Sequence, residues 1–334
     1  MKITDVKMFS ALNKSLMIVI SVLLLCQCAS KEEPEFVFRS TSLVNDNHTW
    51  FLAFEYFGDI LHERSGGRIK LENYHSEQLA KEIEAIRLIQ AEIIDMTTTG
   101  SLLSNWIEIA AFCELPFFLE DSISMKNFID GPIGKRMEEE MLNKLGLRPV
   151  CYFQRGPRQL TSNRPIRHPD DLQGIVIRVP NVPSFVTAWS ALGAKPTPMS
   201  FSEVFTSLQQ GTIEAQENPL ALIRSAGFAE VQDYLNLTNH VVSWVYPVIG
   251  EKQFQKLPDD LKVIFLDAAK DMQTYEHQLF RQREKEVKHE LEERGMEFIE
   301  VDNRAFKEKC LPAIYESLSP AMQKVYDDVL QPNQ

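Results

Sequence analysis

"GIVIRVP", Gly174 to Pro180, and "QQGTIEAQENP", Gln209 to Pro219, decide how this chain reads. The first is an apolar run between Gly and Pro, suited to a strand buried on both faces of a sheet. Arg178 stands inside it, with no acid within four residues on either side. An arginine is almost never fully buried unless paired. Either it snorkels to the strand end or finds a distant Asp or Glu, or its planar fork awaits an incoming carboxylate. The second stretch crowds four amides and two carboxylates between two apolar-faced helical patterns. Ser200 and Glu203 have capping-box spacing, Phe201, Phe205 and Leu208 share a helical face, and Gly211 ends that helix. Residues 212–217 then read as a short strand. Asn218-Pro219 would start the next helix, with Asn218 as its cap. A cap also stands where backbone donors favour an anion. Glu217 beside it is placed either to orient a neighbouring arginine or to face solvent.

Outward from these stretches the chain alternates. Residues 36–39 read as a strand, 49–64 as a helix stopped by Gly66-Gly67, 68–74 as a strand, 82–91 as an amphipathic helix and 93–98 as a strand. A second round begins near 147–154, and Arg158 follows it through a Gly-Pro turn, at what reads as a strand's C-terminal edge. Residues 259–294 form one charge-rich helical pattern without a sustained apolar heptad, so a helix spanning more than one domain is expected rather than a coiled coil. The architecture drawn is α/β with two lobes, mainly parallel sheets covered by helices, and crossings near 154–158 and 240–250. Lobe 1 would hold 36–155 with about 244–283, and lobe 2 would hold 156–243 with about 284–334. Neither crossing is Gly/Ser-rich, so a hinge is expected.

The bulk numbers narrow the function. The chain has 334 residues, 44% apolar, with a net charge of −12. Lysines 2, 7 and 14 precede an apolar run ending at "LCQC", Leu25 to Cys28, which predicts a signal segment over 1–27 and lipidation at Cys28, followed by a tether over 28–35. Removing 1–27, with three Lys and one Asp, takes the charge from −12 to −14. So acidic a chain is a poor partner for nucleic acid or for broad contact with anionic lipid. A membrane would be met only through the lipid anchor. Cys113, Cys151 and Cys310 are too scattered for a disulfide framework and read as small buried thiols. No G-x-S-x-G, Walker or G-x-G-x-x-G motif occurs, and "HELEE" (His289 to Glu293) lacks the second His of H-E-x-x-H. No cofactor, no metal and no catalytic residue is expected, and the chain is not read as an enzyme.

Several segments, in order, resemble the DctP-like solute-binding proteins of tripartite ATP-independent periplasmic (TRAP) transporters. They are "ELPFF" (Glu114 to Phe118), "RQLTSN", "IRVP", "LGAKPTPMSFSEV", "QENP" and "KLPDDLK" (Lys256 to Lys262). The resemblance implies a periplasmic-binding-protein-like fold closing on an organic acid, and a TRAP membrane permease as partner in the periplasm. It implies that Arg178 makes the two-point carboxylate contact, with Arg158, Asn218 and Phe201 around the ligand; Glu217, singled out above from the residues alone, is the fifth candidate ligand-binding residue. Where sialic-acid-binding members carry a glutamate, Gly100 or its neighbour stands here, which argues against sialic acid. The ligand class implied is a small carboxylate: a sugar acid such as a uronate, or another mono- or dicarboxylate. A sensory receptor and, less well, an exported enzyme on an acid substrate are the alternatives. Uptake loss on deletion would separate the first, and turnover by purified protein the second.

Overall fold

The computed structural model describes residues 33–330. The predicted signal segment and Cys28 lie outside the described residues, as do most of the tether and the last four residues of lobe 2.

Among the described residues, twelve strands form two six-stranded sheets. The first contains β1 (Phe36–Thr41), β2 (Ile69–Tyr74), β3 (Met96–Thr99), β4 (Leu147–Pro149), β5 (Phe153–Gln154) and β11 (Trp244–Gly250), ordered β2-β1-β3-β11-β4, with β5 also paired to β11. The second contains β6 (Arg158–Ser162), β7 (Val176–Val179), β8 (Lys195–Pro198), β9 (Ala215–Pro219), β10 (Tyr234–Val241) and β12 (Glu297–Ile299), ordered β12-β10-β6-β9-β7-β8. The chain passes between the sheets at residues 155–157 and 242–243, within both expected crossings.

The pairing is mixed rather than mainly parallel. β2-β1-β3 and β8-β7-β9 are parallel, because a helix-bearing crossover returns the chain to the same edge. The strands that enter or leave each sheet at the crossings run antiparallel: β11 against β3, β4 and β5, and β6 against β9 and β10. A strand coming straight from the other sheet has no crossover to reverse it.

Helix Thr49–Arg64 forms where the sequence places it. Its N-cap is His48, whose ring accepts from Trp50 N–H at 3.2 Å, and Trp50, Phe54, Phe57 and Leu61 are buried at helical spacing. Phe57 meets Phe265 of the long helix Asp259–Glu293 edge-on at 5.1 Å, and Phe38 of β1 meets the same ring at 5.9 Å. Each such ring, removed from water, contributes about 2 kcal/mol. The long helix spans 35 residues, about 50 Å at 1.5 Å per residue. Its first half buries Leu261, Phe265, Ala268 and Met272 in the core of the first sheet. Farther along, Val287 and Leu291 pack with Val204, Leu208, Ile223 and Leu235 of the second. One helix therefore serves two cores. The final helix described, Pro320–Leu330, also crosses over: the Tyr326 ring packs at a tilt against Phe118, 5.2 Å between centroids. Cys113 and Cys310 are buried free thiols, and Cys151 is half-buried.

Candidate functional site

A cavity of about 300 Å³ opens at the carboxyl ends of parallel strands from both sheets, where open α/β sheets offer backbone donors and loops for ligands. From the second sheet it receives Arg178 near the end of β7, Met199 and Phe201 just after β8, and Asn218 near the end of β9. From the first come Glu77 after β2, Gly100 and Ser101 after β3, and Lys81 and Glu82 at the start of helix Glu82–Gln90.

Arg178 is 4% exposed and makes no ion pair among the described residues. Its Nε and Nη2 both donate to the Met199 carbonyl, at 3.0 and 2.6 Å, which leaves the Nη1 donors without an acceptor among the described residues. Phe201 lies under the guanidinium at 5.9 Å. Burial pulls its pKa down to about 10, with Glu217 opposing and Arg158 assisting.

Arg158 has a different environment. Nε and Nη2 grip the Glu217 carboxylate at 2.5 and 2.8 Å, Nη2 also donates to the Glu217 carbonyl at 2.9 Å, and Nη1 donates to Glu114 at 2.9 Å. Arg158 begins β6 rather than standing at a C-terminal edge; the antiparallel register Arg158↔Pro219 sets it beside the end of β9 all the same. Glu217 does not line the cavity. It is fully buried behind Arg158, and His240 Nε2 lies 2.9 Å from its second oxygen. Burial opposes its ionisation, yet Arg158 and His240 hold its pKa at about 2. Burial also lowers His240, and Thr238 Oγ1 at 2.8 Å from Nδ1 suits a neutral ring with its proton on Nε2.

Asn218 corrects the capping expectation. It sits in β9, its amide donating to Gln216 Oε1 at 2.7 Å, and the next helix, Leu220–Ser225, is capped by Pro219. The strand itself covers Ala215–Pro219, later than residues 212–217, because β9 takes its register from β6 and β7 rather than from the turn before it. The capping box at Ser200 and Glu203 is present.

Four of the five residues singled out in the sequence, Arg158, Arg178, Phe201 and Asn218, line this one cavity. Sequence reasoning missed Glu77, Lys81, Glu82, Glu114 and Arg155. Glu114 is 3% exposed, bonded to Ser101, Arg155 and Arg158; burial would raise it, but the two guanidiniums hold it low. It lies in the apolar run "AFCELPFF", the same signal that exposed Arg178. Glu82 accepts from Thr99 Oγ1 at 2.8 Å, and burial pushes it up to about 8, so it carries a proton at neutral pH. Lys81 pairs with Glu203 across the cavity at 2.9 Å. With Arg155, Arg158 and Lys81 paired to acids, Arg178 is the lining cation left without one among the described residues.

The chain matches the family model "Bacterial extracellular solute-binding protein, family 7" over residues 40–326. A solute-binding protein of Roseobacter denitrificans is 44% identical over 298 residues, 88% of this chain and 92% of that one. Its crystal structure, a TRAP periplasmic solute binding protein with bound L-galactonate, superposes with a TM-score of 0.87 over 90% of this chain and 100% of that one. A TRAP periplasmic solute binding protein of Haemophilus influenzae with bound L-gulonate is 30% identical, with a TM-score of 0.82 over 89% and 98%. The 2,3-diketo-L-gulonate-binding periplasmic protein of Escherichia coli is 31% identical over 80% and 81% of the two chains. This chain belongs to family 7 of the bacterial extracellular solute-binding proteins, the receptors of TRAP transporters.

Proposed function

We propose that this protein is an extracytoplasmic receptor that binds a sugar acid, an aldonate or uronate, between two lobes and delivers it to a TRAP membrane permease. The observation that carries the reading is the buried, unpaired Arg178 guanidinium facing a polar cavity. A ligand carboxylate would accept from its free donors, while Asn218, Ser101 and Glu82 offer partners for hydroxyls. Charge-assisted hydrogen bonds contribute about 1.5–3 kcal/mol each. Two of them with a few neutral ones reach the roughly −8 kcal/mol of micromolar binding. The bound galactonate and gulonate of the relatives support the ligand class.

Lobe 1 would comprise 36–155 and about 244–283, and lobe 2 156–243 and about 284–334, hinged where residues 155–157 and 242–243 cross and where the long helix passes between cores. Wall residues from both sheets make closure depend on ligand, since a ligand shifts an equilibrium only by its differential affinity. Lipidation at Cys28 would hold the receptor at a membrane; incorporation of a palmitate analogue, lost in Cys28→Ala, tests it.

The experiment is a thermal-shift screen of purified protein against aldonates, uronates and C4 dicarboxylates. A sugar acid is expected to raise the melting temperature with the logarithm of its saturation. No shift with any acid, or an unchanged shift in Arg178→Ala, refutes the reading.

A further inference from the structure

Resting on the reading above, we propose that Glu77 selects ligands with a single carboxylate: it accepts hydrogen bonds from the hydroxyl chain of a monocarboxylate sugar acid and repels the second carboxylate of a dicarboxylate. Glu77 lines the same cavity as Arg178, and its Oε2 is buried without a hydrogen-bond partner. Among the described residues its side chain has neither an ion pair nor a hydrogen bond, whereas Glu114, Glu203 and Glu217 are each spent on a basic partner. A buried acceptor left open in this way is costly unless something supplies a donor. A polyol supplies several, and the resulting bonds to an acid oxygen are of the stronger kind.

The backbone shows how firmly Glu77 is presented. Ser76 and Glu77 both have left-handed φ, 51° and 56°, a region that residues other than glycine rarely enter even singly. The turn is pinned by two backbone bonds to the loop after β1, Ser76 N–H to Val44 O and Glu77 N–H to Ser42 O, both 2.8 Å, and Leu43 of that loop also lines the cavity. Strain that the surroundings enforce in this manner is a mark of a functional position. Charge completes the argument. Arg178 is the one unpaired lining cation among the described residues, so the first carboxylate of any ligand consumes it. A second carboxylate would find Lys81 already held by Glu203, and would face Glu77 in a site with low dielectric.

The test is isothermal titration of L-galactonate and galactarate, six-carbon acids with one and two carboxylates, into wild-type protein, Glu77→Gln, Glu77→Asp and Arg178→Ala. Wild type is expected to prefer galactonate at least about tenfold. Glu77→Gln should weaken galactonate about fivefold and bring the preference to about threefold or less. Glu77→Asp, which keeps the charge but withdraws it by one methylene, should weaken galactonate and keep the preference. An unchanged preference in Glu77→Gln, or a wild type that takes galactarate as well as galactonate, overturns the inference. Unaltered binding by Arg178→Ala overturns the receptor reading instead. Should Glu77→Gln fail to fold, Glu77→Asp decides: wild-type affinity for both acids overturns the role of Glu77.

Discussion

Two buried arginines stand in the cavity wall, and their partners set them apart. Arg178 donates only to a carbonyl, so its charge is left for a ligand. Arg178→Ala should weaken sugar-acid binding about 100-fold or more by titration calorimetry, with an unchanged circular dichroism spectrum. Arg178→Lys should also bind poorly, since a point charge cannot reproduce the fork. Without ligand the unpaired guanidinium is a burden, so Arg178→Met should raise the unfolding free energy of the empty protein by about 1 kcal/mol. Arg158 behaves oppositely. Arg158→Ala strands Glu217 in the interior and should cost about 3–5 kcal/mol in urea unfolding. The sequence exposes Arg178 because a lone charge in an apolar run is visible in one dimension. Glu77 and Glu82 stand in polar stretches that look solvated, and only the tertiary approach of two sheets turns them inward.

At the scale of elements, legibility tracks how local the cause is. Helix Thr49–Arg64 and the 35-residue helix from Asp259 are readable because their signals are local, a helical pattern in each with Gly66-Gly67 just past the first and Gly295 just past the second. β9 is misplaced by the sequence because its limits follow from strands distant in the chain, β7 and, farther still, β6. The crossing at 155–157 adds a steric requirement. Gly156 has φ +73°, and a Cβ there would lie 3.2 Å from Glu284 Oε1 and 3.4 Å from the Phe280 ring of the long helix. Gly156→Ala should therefore cost about 1–2 kcal/mol in urea unfolding through the left-handed backbone alone.

Across the whole molecule, buried acids set the pH response. Burial pushes Glu82 and Glu276 up to about 8 and Glu284 up to about 7, from an ordinary 4.5. The folded chain keeps these protons where the unfolded chain releases them, so this contribution to stability declines as pH rises from about 4.5 to about 8. Glu217 acts the other way: held at about 2, it stabilises the fold above about 4.5 and that support disappears as pH falls toward 2. Thermal melts of the ligand-free protein should drop between pH 5 and 8, and Glu276→Gln, which removes one buried titration, should flatten the drop. The order β2-β1-β3-β11-β4 has a further consequence, for biosynthesis. The strand that joins β3 to β4 is Trp244–Gly250, nearly a hundred residues downstream of β4. A nascent polypeptide cannot zip its first sheet shut until that late strand has arrived, so a chain stopped at residue 243 should be cut by protease within the segment that holds β1 to β4.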